Sequence, residues 1–386
     1  MVRGNPVLVS RPRGPRRWTL KAFWHNLYRR LEEREEIHSS GAFLHVAAAV
    51  IAAVYGLGAR ARRAAYTQGW LKPRRLPAPV VSVGNLTVGG TGKTPMTACL
   101  ARMFQEQGKR VAILSRGYGG SRKSPTRLSD GVTIYFKPPE VGEEAYWLAR
   151  NLPGAAVYTG ACRFRAGMAA WQEFRPDLFL LDDGFQHFQL RRELDIVLVD
   201  AAAPFGNGCL LPRGPLREPI NTLAQAQVLI LTRFESKRHQ ESLEKIRGAF
   251  PDKVVLTATI RPTQARRYPG GNQAPPEALE GLPLFAFAGL ARPQVFLETL
   301  QALKADVKGT RWFPDHYPFE SPTLARLAEE ARTRGANFLV TTEKDWARLE
   351  GIAEPDFPLW VLGVEAEFHE PEAALKAIFP GAASER

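Results

Sequence analysis

The stretch GNLTVGGTGKTP, residues 84–95, decides the fold of this chain. It matches the phosphate-binding loop G-x-x-x-x-G-K-[ST] except at the first glycine, where the chain has Thr87. An apolar segment, residues 80–84, precedes the loop, and a helix-like segment, residues 95–108, follows it. Because a phosphate loop requires this strand–loop–helix setting, we predict a nucleotide site; the alternative is a glycine-rich turn without a ligand.

The residue types in the loop suit a bound triphosphate. Glycines let the backbone curl so that N–H groups face an anion, and the N-terminus of the following helix adds partial positive charge. Thr87 can replace the first glycine if its φ is not positive. Lys93 is expected to reach the outer phosphates, and the Thr94 hydroxyl to bind Mg²⁺. The predicted nucleotide-binding residues of the loop are Thr87, Gly89, Gly90, Thr91, Gly92, Lys93 and Thr94.

Short apolar segments recur after Pro79, separated by segments long enough for helices. They are residues 80–84, 110–115, 178–183, 195–200, 228–233 and 254–258. Continuous apolar strands of this kind belong in a parallel sheet that is covered on both faces. Strands that alternate with helices indicate an α/β fold.

The pattern divides the chain into domains. Residues 261–283 are rich in Pro, Gly and polar residues and are read as a linker or hairpin. Strand signals then return at 284–290, 337–345 and 359–364. We therefore predict a P-loop NTPase-type parallel-sheet domain at 78–260, a linker or hinge at 261–283 and a smaller C-terminal α/β domain at 284–386.

The net charge of +13 is concentrated near the N-terminus. Residues 1–75 contain fifteen Lys and Arg but only four acids, so the rest of the chain is almost neutral. A neutral globular part argues against a nucleic-acid partner, whereas a local basic arm suits an anionic membrane surface. The three cysteines are far apart in the sequence, which argues against a disulfide framework or zinc site and favours a reducing compartment.

An apolar run, GAFLHVAAAVIAAVYGLGA at residues 41–59, lies within the basic region. A helix that spans a bilayer needs about 20 apolar residues, so this run is a borderline candidate. Because arginines flank it on both sides, we predict a membrane-associating helix in one leaflet, with a basic flank to residue 77. A buried hairpin and a full span are the alternatives. The basic extension at residues 1–40 has no predicted function.

A phosphate-loop protein also needs an acid at the end of a neighbouring strand to hold the metal ion. The segment LFLLDDGFQH at 178–187 supplies it. Asp183 is the first candidate ligand for Mg²⁺ and Asp182 the second; a solvated strand end is the alternative. Gln186 and His187 follow on the same loop and are expected near the phosphates.

ATP is favoured over GTP as the nucleotide. GTP-binding proteins recognise guanine through an N-K-x-D loop. The most similar segment of this chain, TTEKD at 341–345, lacks the Asn and has the wrong spacing.

Eight segments together resemble the tetraacyldisaccharide 4′-kinase family, the lipid A 4′-kinases of Gram-negative bacteria. They are VGNLTVGGTGKTP (83–95), SRGYGG (115–120), VGEEAYWLA (141–149), LDDGFQH (181–187), FGNGCLLPRGPLREP (205–219), FAFAGLARPQVF (285–296), FPDHYPF (313–319) and VTTEKDWARL (340–349). The resemblance runs from about residue 43 to near residue 370, and the family's phosphate loop also has Thr at the position of Thr87.

The resemblance implies that the γ-phosphate of ATP is transferred to the 4′-hydroxyl of a tetraacylated disaccharide 1-phosphate. It also implies an acceptor lipid in the inner membrane that faces the cytoplasm, and an N-terminal membrane helix that matches residues 41–59. No obligate protein partner is expected. The alternative is a membrane-associated P-loop ATPase or switch that binds a partner without lipid chemistry.

The family pattern also suggests the group that accepts the proton of the sugar hydroxyl. An Asp in a G-D-E segment serves as the base in the family, whereas this chain reads Gly142-Glu143-Glu144. Glu143 therefore takes the position of the base with a side chain one methylene longer, and Glu144 is a competitor. His316 of the PDH segment is expected to orient the carboxylate. A binding switch has no need of this pair, whose members come from separate domains.

Other polar residues of the matched segments are candidates for substrate contact. Arg116 and Tyr118 follow a predicted strand, where the end of a parallel sheet collects ligands. Arg217 and Glu218 are expected to contact the metal or the phosphates. Arg163 and Arg165 are either ligands of the 1-phosphate or surface charges.

Overall fold

The computed structural model describes residues 40–350 and 357–379, with side chains from residue 46 onwards. The strands are β1 (Val80–Asn85), β2 (Val111–Ser115), β3 (Thr126–Ser129), β4 (Ala156–Thr159), β5 (Leu178–Asp182), β6 (Leu194–Asp200), β7 (Val228–Thr232), β8 (Val254–Tyr268), β9 (Asn272–Ala274), β10 (Pro283–Ala288), β11 (Asp306–Trp312), β12 (Phe338–Thr342) and β13 (Leu359–Phe368). The α-helices are α1 (Ser40–Thr67), α2 (Lys93–Glu106), α3 (Glu143–Asn151), α4 (Arg163–Glu173), α5 (Ser236–Ala249), α6 (Pro293–Ala302), α7 (Ser321–Thr333), α8 (Glu343–Leu349) and α9 (Pro371–Ile378).

The strands join into one continuous sheet in the order β11-β10-β12-β13-β8-β7-β6-β1-β5-β2-β4-β3, with β9 paired to β8. Most neighbours are parallel, and β1 lies between β5 and β6. The carboxyl ends of β1 and β5 therefore lie side by side, which brings the phosphate loop and the two adjacent aspartates to the same edge. This confirms the predicted α/β class with a parallel phosphate-loop sheet.

The long strand β8 belongs to both halves of the sheet. Its first residues, 254–257, pair in parallel with β7, and residues 258–268 pair antiparallel with β13. We call the part of the chain before β8 the N-terminal lobe and the part after it the C-terminal lobe. The segment 261–283, predicted as a linker or hairpin, holds the second half of β8 and the hairpin that β8 forms with β9. The predicted boundary at residue 260 thus falls inside a strand.

The apolar sequence of the strands reflects burial on both faces of the sheet. Every residue of β1 is buried, and Val83 and Leu180 have no solvent exposure. On one face, Met96 and Leu100 of α2 pack into the same core as β1, β5 and β13. The helix that follows the phosphate loop is thereby anchored to both lobes.

Helix α1 extends beyond the apolar run that predicts it and lies against the N-terminal lobe. Ala48 and Ala52 are buried on one face, and a Cβ at Gly56 would lie only 2.6 Å from the Leu210 side chain. Near the end of the helix, Arg63 is 7% exposed. Small residues therefore allow the helix to approach the lobe closely.

The opposite face of α1 is apolar and open. Val46, Val50, Val54 and Leu57 recur at helical spacing and are 60–65% exposed. Within the described residues, no helix combines the length and the hydropathy that crossing a bilayer requires.

Candidate active site

The phosphate loop is held together by Asn85, which sequence patterns alone do not single out. Its side-chain amide donates to the Thr87 carbonyl at 2.7 Å and to the Thr91 hydroxyl at 2.9 Å. Its Oδ1 accepts from Lys93 Nζ at 3.2 Å. One buried side chain therefore fixes the beginning of the loop and positions the lysine at its end.

The backbone of the loop explains why Thr87 is tolerated. Gly89 and Gly92 have φ values of 111° and 80°, which glycine adopts without strain. Thr87 is not among the non-glycine residues of the described chain that have positive φ. Its backbone instead bridges to Leu216. The first glycine of the generic pattern is thus replaced where glycine's conformational freedom is not used.

The end of β5 brings its two aspartates to the loop. Asp183 Oδ1 lies 3.8 Å from Lys93 Nζ, and Arg217 Nη1 donates to both Asp183 oxygens at 2.9 and 3.0 Å. Asp183 has a left-handed backbone, with φ of 51°. Since this conformation is unfavourable for a side chain with a Cβ, its presence beside the loop is typical of a functional position.

Asp182 lies deeper and is 3% exposed. Its carboxylate accepts from Thr97 Oγ1 at 3.4 Å and from Ser115 Oγ at 3.3 Å. Burial, followed by the nearby charges of Glu144 and Asp183, raises the pKa of Asp182. A cation would relieve this crowding of carboxylates, so the residues suit Mg²⁺.

Magnesium in phosphoryl-transfer sites is held by one or two carboxylates together with phosphates and water. In the described ranges, no group of three or more His, Cys, Asp and Glu side chains is arranged as a metal site. Thr94 lies in the first turn of α2, directly after Lys93. Thr94, Asp182 and Asp183 are therefore the residues that would hold Mg²⁺ here.

Gln186 and His187 lie on the loop that follows β5. Gln186 Nε2 donates to the Asn85 carbonyl at 2.9 Å, which ties this loop to the phosphate loop. Burial and the charges of Arg163, Arg192 and other arginines lower the pKa of His187 to about 4. The imidazole of His187 is consequently neutral at neutral pH.

The two neighbouring candidates Arg217 and Glu218 contact different parts of the protein. Arg217 contacts Asp183, as described above, whereas Glu218 is 4% exposed and forms an ion pair with Arg63 of α1. Tyr55 of α1 also donates to the Arg217 carbonyl at 2.9 Å. The segment that includes Arg217 and Glu218 therefore connects α1 with the candidate metal ligands.

A second group of residues meets across the two lobes. Glu143, the first residue of α3, is 7% exposed, and its Oε1 lies 2.5 Å from Nδ1 of His316 in the C-terminal lobe. His316 Nε2 is 3.5 Å from Asp315 Oδ2, and the ring centroid of Tyr118 is 5.4 Å from that of His316. His316 has φ of 61°, a second strained backbone at the site.

Glycines allow the loops that carry Tyr118 and Glu143 to touch. A Cβ at Gly142 would lie 2.4 Å from the Tyr118 carbonyl oxygen, and one at Gly120 would lie 2.8 Å from the backbone of Val141. These approaches leave no room for a side chain. The glycines of the SRGYGG and VGEE segments thus place Tyr118 beside the Glu143–His316 pair.

Two cations of α8 surround Glu143, and neither is singled out by the sequence pattern. Lys344 Nζ lies 3.4 Å from Glu143, 3.7 Å from Glu144 and 3.2 Å from Asp315. Burial lowers the pKa of Lys344, but the three carboxylates outweigh it and raise the pKa above its ordinary value. Lys344 therefore stays charged.

Arg348 is the second cation, and its Nε lies 3.1 Å from Glu143 Oε2. Arg348 also donates to the Tyr317 carbonyl at 3.2 Å and forms an ion pair with the fully buried Asp345. Because Tyr317 follows His316, Arg348 fixes both members of the pair.

These neighbours determine the ionisation of Glu143. Burial by itself raises its pKa, but the interaction with His316 and the charges of Lys344 and Arg348 lower it to about 2. The carboxylate is therefore ionised at every pH at which the protein is expected to act. Glu144, at the same helix start, is more exposed and contacts Lys344.

The candidate arginines differ in their surroundings. Arg163, at the start of α4, is 4% exposed, and its Nε has no hydrogen-bond partner among the described residues. Burial and the charge of Arg116 lower its pKa to about 10, and Asp182 and Asp183 partly oppose this. Arg116 and Arg165 are exposed. A buried, incompletely paired guanidinium beside the aspartates suits an anionic ligand.

A phosphate loop, an aspartate pair on the adjacent strand and a carboxylate–histidine pair opposite define the class of the protein: a P-loop phosphotransferase. The model of the family "Tetraacyldisaccharide-1-P 4'-kinase" matches residues 44–380. The chain therefore belongs to the tetraacyldisaccharide-1-phosphate 4′-kinase family, which confirms the predicted family and kinase class.

Individual relatives agree with the family match. The chain is 43% identical to the tetraacyldisaccharide 4′-kinase of Geobacter metallireducens over 331 residues, 86% of this chain and 96% of that protein. It is 39% identical to that of Geobacter sulfurreducens over 360 residues, 92% and 98% of the two chains. A similar solved structure is LpxK from Aquifex aeolicus in complex with ATP, with a TM-score of 0.69, 30% identity and coverage of 87% of this chain and 99% of that one.

We expect Glu143 to make the free energy of unfolding depend on pH. Its pKa falls from an ordinary 4.5 to about 2 in the folded protein, so the unfolded state binds more protons between these values. The stabilisation is complete above about pH 4.5 and is lost as the pH falls toward 2. Between about pH 5 and 3, wild type should lose about 1 kcal/mol per pH unit more than Glu143→Gln.

Chemical denaturation at several pH values in this window measures the effect. Glu298→Gln, which removes an exposed carboxylate from α6, is the control and should follow wild type. If the difference in the free energy of unfolding between wild type and Glu143→Gln stays constant across the window, the surrounding cations do not hold the carboxylate ionised.

Proposed function

We propose that this protein transfers the γ-phosphate of ATP to the 4′-hydroxyl of a tetraacyldisaccharide 1-phosphate lipid. The observation that carries the proposal is the Glu143–His316 contact at 2.5 Å, made across the two lobes. Glu144, the neighbour of Glu143, is among the charges that raise the pKa of Asp182, and Asp182 ends the strand beside β1, from which the phosphate loop continues. The candidate base is therefore proposed to act on the same side of the sheet as the nucleotide site.

The N-terminal lobe is proposed to bind the triphosphate. The loop amides and Lys93 hold the phosphates, and Thr94, Asp183 and Asp182 hold Mg²⁺. When bound, Mg²⁺ neutralises charge on the phosphates during transfer. Arg217 orients Asp183 through its two hydrogen bonds, and Gln186 keeps the aspartate loop against the phosphate loop.

The Glu143–His316 pair is proposed to receive the proton of the acceptor hydroxyl as one unit. The side chain of His316 is 25% exposed and that of Glu143 only 7%, which favours the imidazole as the group that faces the acceptor. The ionised Glu143 then orients the ring and stabilises the imidazolium. The reverse order, with Glu143 itself as the proton acceptor, is the assignment that the family pattern suggests.

Arg163 is proposed as an anion ligand. Its burial beside Asp182 and Asp183 supports a role toward the transferred phosphoryl group rather than toward a remote surface phosphate. Arg116 and Tyr118 lie on the adjacent loop and are proposed to contact the acceptor. The division into domains at 78–260 and 284–386 with a hinge at 261–283 also remains a proposal, in which β8 carries any relative motion.

The proposal is tested by incubating the protein with labelled ATP and a tetraacyldisaccharide 1-phosphate, followed by mass spectrometry of the lipid. Wild type should add one phosphate, and Lys93→Ala should lose the product by at least about a hundredfold because the outer phosphates lose their cation. Lys109→Ala, which removes an exposed lysine after α2, is the matched control. Free ATP hydrolysis without a lipid product would overturn the proposal in favour of an ATPase or switch.

We expect the dyad to behave as one catalytic unit. Glu143→Gln and His316→Ala should each lower kcat by about 10²–10⁴, and the double variant should lose little more than either single variant. The kcat of Glu143→Asp should lie between those of wild type and Glu143→Gln, because the charge is kept but the shorter side chain lies farther from His316. Titration with ATP reports whether the nucleotide site is intact in each variant. If the reductions in kcat of the single variants multiply in the double variant, the two residues act independently and do not form one unit.

The open face of α1 supports contact with a membrane surface. Beyond the end of the helix, Trp70 and Leu71 are also exposed, by 76% and 46%. Exposed cations follow at Arg60, Arg62, Lys72, Arg74 and Arg75. Apolar side chains flanked by cations suit an anionic leaflet. Since ATP and the acceptor must meet, we propose the cytoplasmic face of the inner membrane, without an obligate protein partner.

Vesicle binding tests this surface. Val50→Asp combined with Val54→Asp should weaken binding to vesicles that contain phosphatidylglycerol by at least about tenfold, because charges replace two exposed valines that are proposed to insert into the bilayer. Val132→Asp, at a residue that is 92% exposed in the turn after β3, should leave binding unchanged. Equal binding of both variants would exclude this face of α1.

A further inference from the structure

A cluster of three charged residues lies at the end of β6, the strand that flanks β1 on the side opposite β5. Asp200, the last residue of β6, is 1% exposed. Its Oδ2 accepts from Arg233, which follows β7, and from Arg292, which precedes α6 in the C-terminal lobe. A buried carboxylate therefore links arginines of the two lobes.

Arg233 continues the connection to the phosphate loop. Its Nη1 donates to the Gly90 carbonyl at 2.7 Å. The preceding residue, Thr232, donates from its hydroxyl to the Thr91 carbonyl at 2.9 Å. Two consecutive carbonyls of the loop are thus held by consecutive residues at the end of β7.

This arrangement affects the amides that face the nucleotide. In a planar trans peptide the C=O and N–H groups point to opposite sides. When Thr232 holds the Thr91 carbonyl, the N–H of Gly92 lies on the opposite side of that peptide. The contacts from β7 therefore fix the orientation in which the loop presents its backbone to phosphate.

The backbone of Arg233 indicates that its position is specified. Its φ is 54°, a left-handed conformation that is unfavourable for arginine. Such strain persists only where surrounding contacts determine it. Asp200 and the Gly90 carbonyl are the contacts that hold this side chain.

We propose that Arg292 is a positioning residue for ATP, which acts through Asp200 and Arg233 on the phosphate loop. Arg292 and Arg233 hold Asp200 from two sides, and Asp200 in turn keeps Arg233 on the Gly90 carbonyl. The C-terminal lobe, which supplies His316, thereby also contributes to the geometry of the nucleotide site. This inference rests on the proposed binding of ATP by the loop.

The test compares the Michaelis constants of the two substrates. Arg292→Ala should raise the KM for ATP by about tenfold, the effect of one charge-assisted hydrogen bond, and change kcat and the KM for the lipid by less than about threefold. Arg292→Lys should restore much of the affinity for ATP because it keeps the charge. Arg326→Ala, which removes an exposed arginine from α7 in the same lobe, should match wild type.

A double-variant cycle separates this role from direct contact with ATP. If Arg292 acts through Arg233, Arg292→Ala should add less than about twofold to the KM for ATP in an Arg233→Ala background. If the increases in the KM for ATP caused by the two substitutions multiply, Arg292 contacts ATP itself and the proposal is overturned. An unchanged KM for ATP in Arg292→Ala, or an equal rise for ATP and lipid, would do the same. Failure of the proposed function would instead appear as ATP hydrolysis by wild type without any phosphorylated lipid.

Discussion

The hydrogen-bonded ladder of β8 is the constraint on which the site depends. Its beginning is fixed to β7 and its remainder to β13, so the strand carries the sheet from one lobe into the other. The phosphate loop and Glu143 come from the first lobe, whereas His316, Lys344 and Arg348 come from the second. Without this shared strand, two halves of a reaction centre would be held only by side-chain contacts.

Charge is distributed across the cleft in a way that suits phosphoryl transfer. On the nucleotide side, Asp182 and Asp183 crowd one another and are offset by Lys93 and Arg217. On the acceptor side, Glu143 is compensated by two cations of α8 and is ionised. A bound cation would stabilise the aspartates of the first group, whereas the negative charge of Glu143 is already compensated by its neighbours. Carboxylates are therefore proposed to serve metal binding in one place and proton transfer in the other.

Helix α1 is connected to the chemistry as well as to the proposed membrane surface. Arg63 pairs with Glu218, and Tyr55 donates to the Arg217 carbonyl, while the Arg217 side chain holds Asp183. A single residue, Arg217, thus connects the element that would contact lipid with a candidate metal ligand. This proximity suits an enzyme whose acceptor is drawn from a bilayer and whose donor is dissolved in water.

The sequence by itself determined the phosphate loop and the central strands, because local spacing and continuous apolar runs encode them, whereas Glu143 is a candidate base only through the resemblance to the family. The sequence did not determine the second half of β8, whose polar residues pair with a strand about a hundred residues away, or the contacts of Asn85, Lys344 and Arg348. Those side chains acquire a function only from partners that are distant in sequence, and ordinary Lys, Arg and Asn carry no local signal for it. Tertiary structure also decided that Glu218 pairs with Arg63 of α1 while Arg217 contacts Asp183, because both partners are distant in sequence and only the fold brings them to this segment.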